Sequence, residues 1–340
     1  MLVSEFQYDL PEELIAQKPL EPRDHSRLLV VDRTRKKFQD RFFYELVELL
    51  NPNDLLIFND TRVIPARLFA TKAGSDRQIE IFLLKKIEPT LWECLVRPGK
   101  KAKPGTKLLF NEGLSGEIVQ IIADGARIIR FDGQIDFESW LDRNGETPLP
   151  PYIHETLEDR ERYQTVYSKK EGSVAAPTAG LHFTDELVAK LQQKGINVGF
   201  LTLHVGLGTF RPVKTEVVEE HHMHSESFVL PDELVALVKK TKQGGGRVIA
   251  VGTTVVRVLE SQTTENGELQ PGVGETAIFI YPGYQFKVID GMITNFHLPA
   301  STLLMLVSAF AGKELIMDCY QHAVAERYRF FSFGDAMLIL

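Results

Sequence analysis

The chain has 340 residues, 46 acidic against 39 basic, and a formal net charge of −7. A molecule of that charge does not attract nucleic acid as a whole, so any such contact needs a local basic patch. Two cysteines far apart, Cys94 and Cys319, in no CxxC pairing, exclude a disulfide scaffold and a cysteine zinc site.

The opening stretch "MLVSEFQYDLPEEL" has no basic segment leading into an apolar one, and the longest apolar run, "LLMLVSAFAG", is too short to span a bilayer. A soluble cytoplasmic protein of two domains, or one large one, is expected. "YDLPEELIAQ" predicts a helix, with Asp9 as N-cap, Pro11 in the first turn and acids at the positive end of the helix dipole. "PLEPRDHSR" is a charged loop before "LLVVDR", a short buried strand. "FYELVELL" predicts a helix ended by the turn "NPND". "LLIFN" is a second apolar strand that runs straight into "DTRVIPARL".

The texture changes after about Val63. Short alternating segments follow, "ARLFAT", "QIEIFLLKKI", "WECLVRP", "KLLF", "GEIVQII" and "ARIIRF", separated by frequent turns. Period-two alternation broken this often predicts a small antiparallel barrel or sandwich. A short helix in "DFESWLDRNGETPLPPYI" leads out of it. From about Pro151 strands and helices alternate. Helix "DELVAKLQQKG" is capped by Thr184 and closed by Gly195, and "INVGFLTLHV", "SFVL", "RVIAVG" and "GMITNFHL" are strands set between further helices. The predicted architecture is a discontinuous α/β domain, barrel-like or layered, over residues 1–62 and 148–340, with a small antiparallel β-barrel inserted over 63–147.

Four strands share an odd continuation: "LLIFN" gives "DTR", "FLTLHV" gives "GLGTFRPV", "RVIAVG" gives "TT", and "MITNFHL" gives "PAST". Loops leaving the carboxyl ends of strands gather on one edge of an α/β fold, where ligands bind. The neutral stretch "VAAPTAGLHFT", with no acid, Lys or Arg, fits the same place as a pocket wall. Together these loops supply His182, His204 and His297, Thr178, Thr209 and Thr253, and Phe183, Phe210 and Phe296. Each has an ordinary alternative. A single imidazole is commonly a hydrogen-bonded structural group, Thr253 and Thr254 suffice as a helix cap, and Phe183 and Phe296 fit a core. "GLGTF" is not a dinucleotide fingerprint, because Arg211 and Pro212 follow where a helix should begin.

Two further stretches stay open on their residues. "EEHHMHSE" offers His221, His222 and His224, with Glu219, Glu220 or Glu226 to complete a metal set, yet lacks any spaced metal signature; a polar turn or a loop near the active edge fits as well. "VRPGKKAKPGTK" puts Arg97, Lys100, Lys101, Lys103 and Lys107 within eleven positions. It is either a solvated hairpin or a phosphate-contacting patch.

Taken in order, "YDLPEELIAQKPLEPRDHSRLLV", "LLIFNDTRVIPARL", "AAPTAGLHFT", "TLHVGLGTFRPV", "HHMHSE", "VGTTVVRVLES", "NFHLPASTLLMLVSAF" and "YRFFSFGDAMLI" resemble the S-adenosylmethionine:tRNA ribosyltransferase-isomerases of queuosine biosynthesis, over essentially the whole chain. The resemblance implies an α/β domain with a β-barrel insert. It implies transfer and isomerisation of the ribosyl part of S-adenosylmethionine onto 7-aminomethyl-7-deazaguanine at the wobble position of tRNA, giving epoxyqueuosine and releasing adenine and methionine. S-adenosylmethionine would be a consumed substrate rather than a cofactor, no metal is expected, and the partner is the anticodon arm of tRNA, with no membrane, on a monomer.

Such chemistry suits His182 and His204 as acid or base with Asp60 as the carboxylate. Phe183, Phe210 and Phe296 would frame the sulfonium and adenine. Thr178, Gly180, Gly206, Gly208, Thr209, Thr253, Asn295 and His297 would give hydrogen bonds or close main-chain approach. Arg62, Arg211 and Arg23 would meet carboxylate or phosphate. Arg97, Lys100, Lys101, Lys103 and Lys107 would meet tRNA.

Overall fold

The computed structural model describes residues 1–122, 125–132, 135–206 and 213–340. In chain order, β1 (Arg27–Asp32) and β2 (Lys37–Phe42) lead to α1 (Leu46–Leu49), β3 (Leu55–Asn59) and β4 (Thr61–Val63). Then come β5 (Arg67–Lys72), β6 (Gln78–Glu88), β7 (Leu91–Arg97), β8 (Lys107–Leu109), β9 (Ser115–Ile121), β10 (Arg127–Asp132) and α2 (Phe137–Asn144). The remainder holds β11 (Lys170–Ser173), α3 (Asp185–Gln193), β12 (Asn197–Leu203), β13 (Glu226–Leu230), α4 (Asp232–Gln243), β14 (Val248–Val251), α5 (Thr253–Ser261), β15 (Gly272–Thr276), β16 (Gly291–Asn295), α6 (Thr302–Ala311), α7 (Lys313–Ala325) and β17 (Ala336–Ile339). The chain divides into two compact units, one of residues 1–61, 151–170 and 176–340, the other of 62–150 and 171–175.

The first unit is built on a nine-stranded sheet in the order β15-β13-β12-β3-β14-β16-β17-β1-β2. Its centre, β12-β3-β14-β16, is parallel. β3 and β14 are buried at every position, as apolar strands covered on both faces must be. Helix α3 begins where Thr184 Oγ1 accepts the Leu187 N–H at 3.1 Å, with Asp185 and Glu186 in its first turn. It buries Leu187 and Leu191 in a core shared with Leu56, Phe58, Ile249 and Ile293. The second unit is a closed six-stranded antiparallel barrel, β10-β7-β6-β5-β8-β9. Helix α2 packs Phe137 and Trp140 against Phe131 and Phe110 of the same unit.

Two sequence expectations change. The helix expected over "YDLPEELIAQ" is only a 3-10 turn at Glu12–Leu14. Its main chain pairs instead with Phe330: the Phe330 N–H donates to the Leu14 carbonyl, and the Ala16 N–H donates to that of Phe330. Three strands had no clear pattern in the sequence. β2 is mostly exposed at the sheet edge, β15 is glycine-rich, and β17 lies in "GDAMLI". Among the described residues no helix is long and apolar enough to cross a membrane.

Candidate active site

Because β12, β3, β14 and β16 run parallel in adjacent positions, their carboxyl ends fall on one edge. Leu201 lies beside Asn59, and Val251 beside Ile293. β17 runs antiparallel to β16, with Ala336 opposite Asn295, and β1 runs parallel to β17, so the starts of β17 and β1 join that edge. The ends of the four strands that carry the unusual continuations are therefore neighbours in space.

Here lies an open cleft. Thr178, Thr253, Thr254, Asn295, His297 and Ser332 supply polar groups of its wall, and among the described residues no Lys, Arg, Asp or Glu lines it. Tyr152 and Phe331 close one side, with the Tyr152 and Ser332 hydroxyls 2.7 Å apart. Helix α5 starts in this cleft. Its N-cap, Gly252, has φ +93°, a conformation that a side chain strains, and no side chain caps the helix. By contrast α6 is capped by Ser301, whose Oγ accepts the Leu304 N–H.

The two histidines in "AGLHFT" and "TLHVG" sit in different surroundings. His182 is 4 % exposed. Asn295 Nδ2 donates to its Nε2 at 3.0 Å and to the Phe331 carbonyl at 3.1 Å. Nε2 is thus an acceptor, and the proton on Nδ1 goes to Ser26 Oγ at 2.7 Å. Burial first, then the Arg329 and Arg23 charges, push its pKa down to about 3. His182 is a neutral strut with both ring nitrogens engaged. Asn295 is left with an unpartnered Oδ1.

His204 is half-buried and its Nδ1 lies 2.8 Å from Thr61 Oγ1. The Thr61 hydroxyl also lies 3.4 Å from the Lys170 carbonyl; when it donates there, the imidazole Nδ1–H donates to Thr61 and Nε2 carries the lone pair. Nε2 has no hydrogen-bond partner among the described residues. Burial lowers the His204 pKa, partly opposed by Asp60, which itself accepts from Thr202 Oγ1 at 2.6 Å.

Other expected positions fall out by burial. Phe183 has no exposed surface and packs edge-on to Phe43 and Phe58 in the core, outside the cleft. Phe296 borders the cleft, but its ring is buried against Tyr320, Tyr328 and Phe330. A Cβ on Gly180 would meet the Tyr167 hydroxyl at 1.9 Å, so its close approach is to Tyr167. His297 lines the cleft with Nε2 2.8 Å from Thr294 Oγ1, and burial pushes its pKa down to about 3. Arg23 borders a smaller pocket beside His182 and donates to the Gln164 and Glu161 carbonyls. Arg62 opens the second unit in β4. The Gly206 N–H donates to Glu226 Oε1 at 2.9 Å, and Glu226 also pairs with buried Arg257 of α5. Gly208, Thr209, Phe210 and Arg211 lie outside the described residues. Ser26, Thr61, Tyr152 and Ser332 were not singled out in the sequence, because each matters only through a partner more than 100 positions away.

Residues 3–339 match the family model described as queuosine biosynthesis protein. The chain belongs to that family. It is 57% identical to the S-adenosylmethionine:tRNA ribosyltransferase-isomerase of Acetivibrio thermocellus and 57% identical to that of Halothermothrix orenii, over the whole of both chains in each case. The crystal structure of S-adenosylmethionine tRNA ribosyltransferase from Thermotoga maritima is 43% identical, with a TM-score of 0.57 over 99% of this chain and all of that one.

In this member of the queuosine family the basic stretch is a shaped loop of the barrel. Arg97, Lys100, Lys103 and Lys107 are exposed and form no ion pair among the described residues; the Lys101 side chain lies outside them. Arg127 holds the loop by donating to the carbonyls of Gly99, at 2.8 Å, and Ala102, at 3.4 Å. The histidine stretch is no strand: His222 and His224 are exposed in the segment before β13, and His221 lies edge-on to Phe279. Among the described residues no group of three His, Cys, Asp or Glu side chains is placed to hold a metal ion.

Proposed function

We propose that this queuosine-family enzyme transfers the ribosyl part of S-adenosylmethionine to 7-aminomethyl-7-deazaguanine at the tRNA wobble position and isomerises it, giving epoxyqueuosine and releasing adenine and methionine. The observation that carries the reading is a cleft at the carboxyl edge of four parallel strands whose described lining is threonine, asparagine, histidine, serine and apolar side chains. Neutral groups of this kind neither repel a sulfonium cation nor trap it in the ground state.

The sulfonium acidifies the C5′ protons, adenine needs a proton as it leaves, and the attacking amine must lose one. His204, its pKa lowered by burial and its Nε2 without a partner among the described residues, is proposed as the base, with Asp60 beside it to stabilise the imidazolium that forms. His182 is reassigned from acid or base to a positioning role, because both its nitrogens are engaged. Thr178, Thr253, Asn295 and His297 are proposed to contact the nucleoside or its amino-acid end. Gly208, Thr209, Phe210 and Arg211 remain in the proposed site on sequence alone, and Arg62 and Arg23 remain as contacts to carboxylate or phosphate. The loop bearing Lys100 and Lys103 is proposed to meet phosphates of the anticodon arm.

Single-turnover incubation with S-adenosylmethionine and tRNA carrying the deazaguanine amine tests this. Adenine release that requires that tRNA, with the ribosyl-derived mass added to the nucleoside, is expected. Folded protein that releases no adenine and leaves the nucleoside mass unchanged overturns it.

A further inference from the structure

Asn295 is 3 % exposed and borders the cleft. Both hydrogens of its amide are committed, one to His182 Nε2 and one to the Phe331 carbonyl, so the amide cannot turn over without losing both bonds. Its Oδ1 is buried and has no partner among the described residues. A buried acceptor left unpaired is destabilising and stays in a fold where another group completes it. The Ser26–His182–Asn295 chain of bonds holds this acceptor at a fixed angle.

On the next strand, the Gly252 N–H bonds to the Ile293 carbonyl, which brings the start of α5 alongside Thr294 and Asn295. That helix has nine residues and no capping side chain, and Thr253 and Thr254 at its start line the same cleft. First-turn N–H groups have no intrahelical partner, and with the helix dipole they favour an anionic oxygen group. A fixed acceptor and the start of a helix without a capping side chain among the described residues therefore lie at neighbouring strands, where no described lining residue is charged. A zwitterion meets both at once.

We propose that these two features form a clamp for an α-amino-acid group: the carboxylate sits on the N-terminus of α5 and the ammonium donates to Asn295 Oδ1. The clamp rests on the ribosyl-transfer reading, and its ligand is the methionine end of S-adenosylmethionine. It uses neutral atoms for both charges, so the cleft needs no side-chain charge that would bias the sulfonium. His182 acts through Asn295 as a positioning residue.

The test is equilibrium dialysis of the full chain, with and without tRNA, against three unreactive thioethers. S-adenosylhomocysteine carries the whole amino-acid group, its decarboxylated form only the ammonium, and 5′-methylthioadenosine neither. The expected wild-type order is S-adenosylhomocysteine, then the decarboxylated form, then 5′-methylthioadenosine, with roughly tenfold or more lost at each step, the range for hydrogen bonds to charged groups. Asn295→Leu should weaken the first two roughly tenfold and leave 5′-methylthioadenosine unchanged. Equal binding of all three by the wild type overturns the clamp, as does failure to bind any of them. An Asn295→Leu variant that melts like the wild type yet weakens all three alike assigns Oδ1 to the nucleoside and also overturns it. The reaction is judged separately by adenine release from S-adenosylmethionine. The expected dialysis pattern without adenine release retains the clamp and overturns the transfer reading, whereas adenine release with equal binding of the three does the reverse.

Discussion

The cleft of the α/β unit and the basic loop of the barrel differ in every property that governs recognition. Threonine, asparagine, histidine, serine and apolar side chains line the cleft, with no charged side chain among the described residues. The loop carries Arg97, Lys100, Lys103 and Lys107 exposed and without ion pairs among the described residues. Recognition by buried neutral atoms depends on angle and distance and is nearly blind to salt. Recognition by solvated cations tolerates imprecise geometry and is steeply salt-dependent. On the proposed reading, an acidic chain that handles a small cation and a polyanion keeps the two chemistries on separate units.

The largest effect should separate His204 from His182, neither of which is among the described lining residues of the cleft. His204→Ala is expected to lower the single-turnover rate of adenine release by about 10²–10⁴-fold, the range for an acid–base group. A base works deprotonated and the His204 pKa lies below its usual 6.5 through burial. The wild-type rate should therefore rise through a limb below pH 6.5 and be flat above it, and the variant should lose that limb. His182→Ala should instead raise KM for S-adenosylmethionine and keep the limb. An unchanged rate for folded His204→Ala would remove the assignment.

A smaller effect concerns stability. His182 and His297 both have folded pKa values of about 3 against an ordinary value of 6.5. Below 6.5 the unfolded chain takes up protons that the folded chain refuses, so stability is full above pH 6.5 and falls as pH drops toward 3. Each site contributes a slope of up to about 1.4 kcal/mol per pH unit. Thermal melting from pH 7.5 to 4.5 measures it, and His182→Asn should flatten the slope. A melting temperature independent of pH over that range would mean that neither imidazole is held neutral.

The smallest effect sharpens the contrast most directly. Replacing Lys100, Lys101 and Lys103 with Gln should reduce the salt slope of tRNA binding by roughly 0.7–0.9 per lost phosphate contact. The affinity for S-adenosylhomocysteine and its weak salt dependence should not move. An unchanged slope for tRNA excludes the loop from the phosphate contacts. A changed affinity for the thioether would show that the two recognition chemistries are not separate.

Much of the fold was legible in the chain. The six barrel strands follow from alternation and turns, because one face of each strand is buried and the other wet. α3 follows from Thr184, the acids after it and the spacing of Leu187 and Leu191. The shared chemistry of four strand exits pointed to one edge, since strands that run parallel must end together. What the chain did not display were elements whose partners are distant. The Leu14–Ala16 segment forgoes a helix because Phe330 offers main-chain bonds. β17 is a short apolar run that acquires meaning only between β16 and β1.

The site divides along the same line. Sequence alone selected His182, His204, Thr253 and Asn295, because residue type and local order are written in the chain. It could not tell the imidazole with both nitrogens bound from the one with a nitrogen open, nor core Phe183 from a cleft wall. Those distinctions rest on Ser26, Thr61 and Phe331, residues brought within about 3 Å only by strand order and register. Hydrogen bonding and desolvation act at that range and not along the chain, so tertiary structure decides which of two similar side chains holds a position and which is open to move a proton.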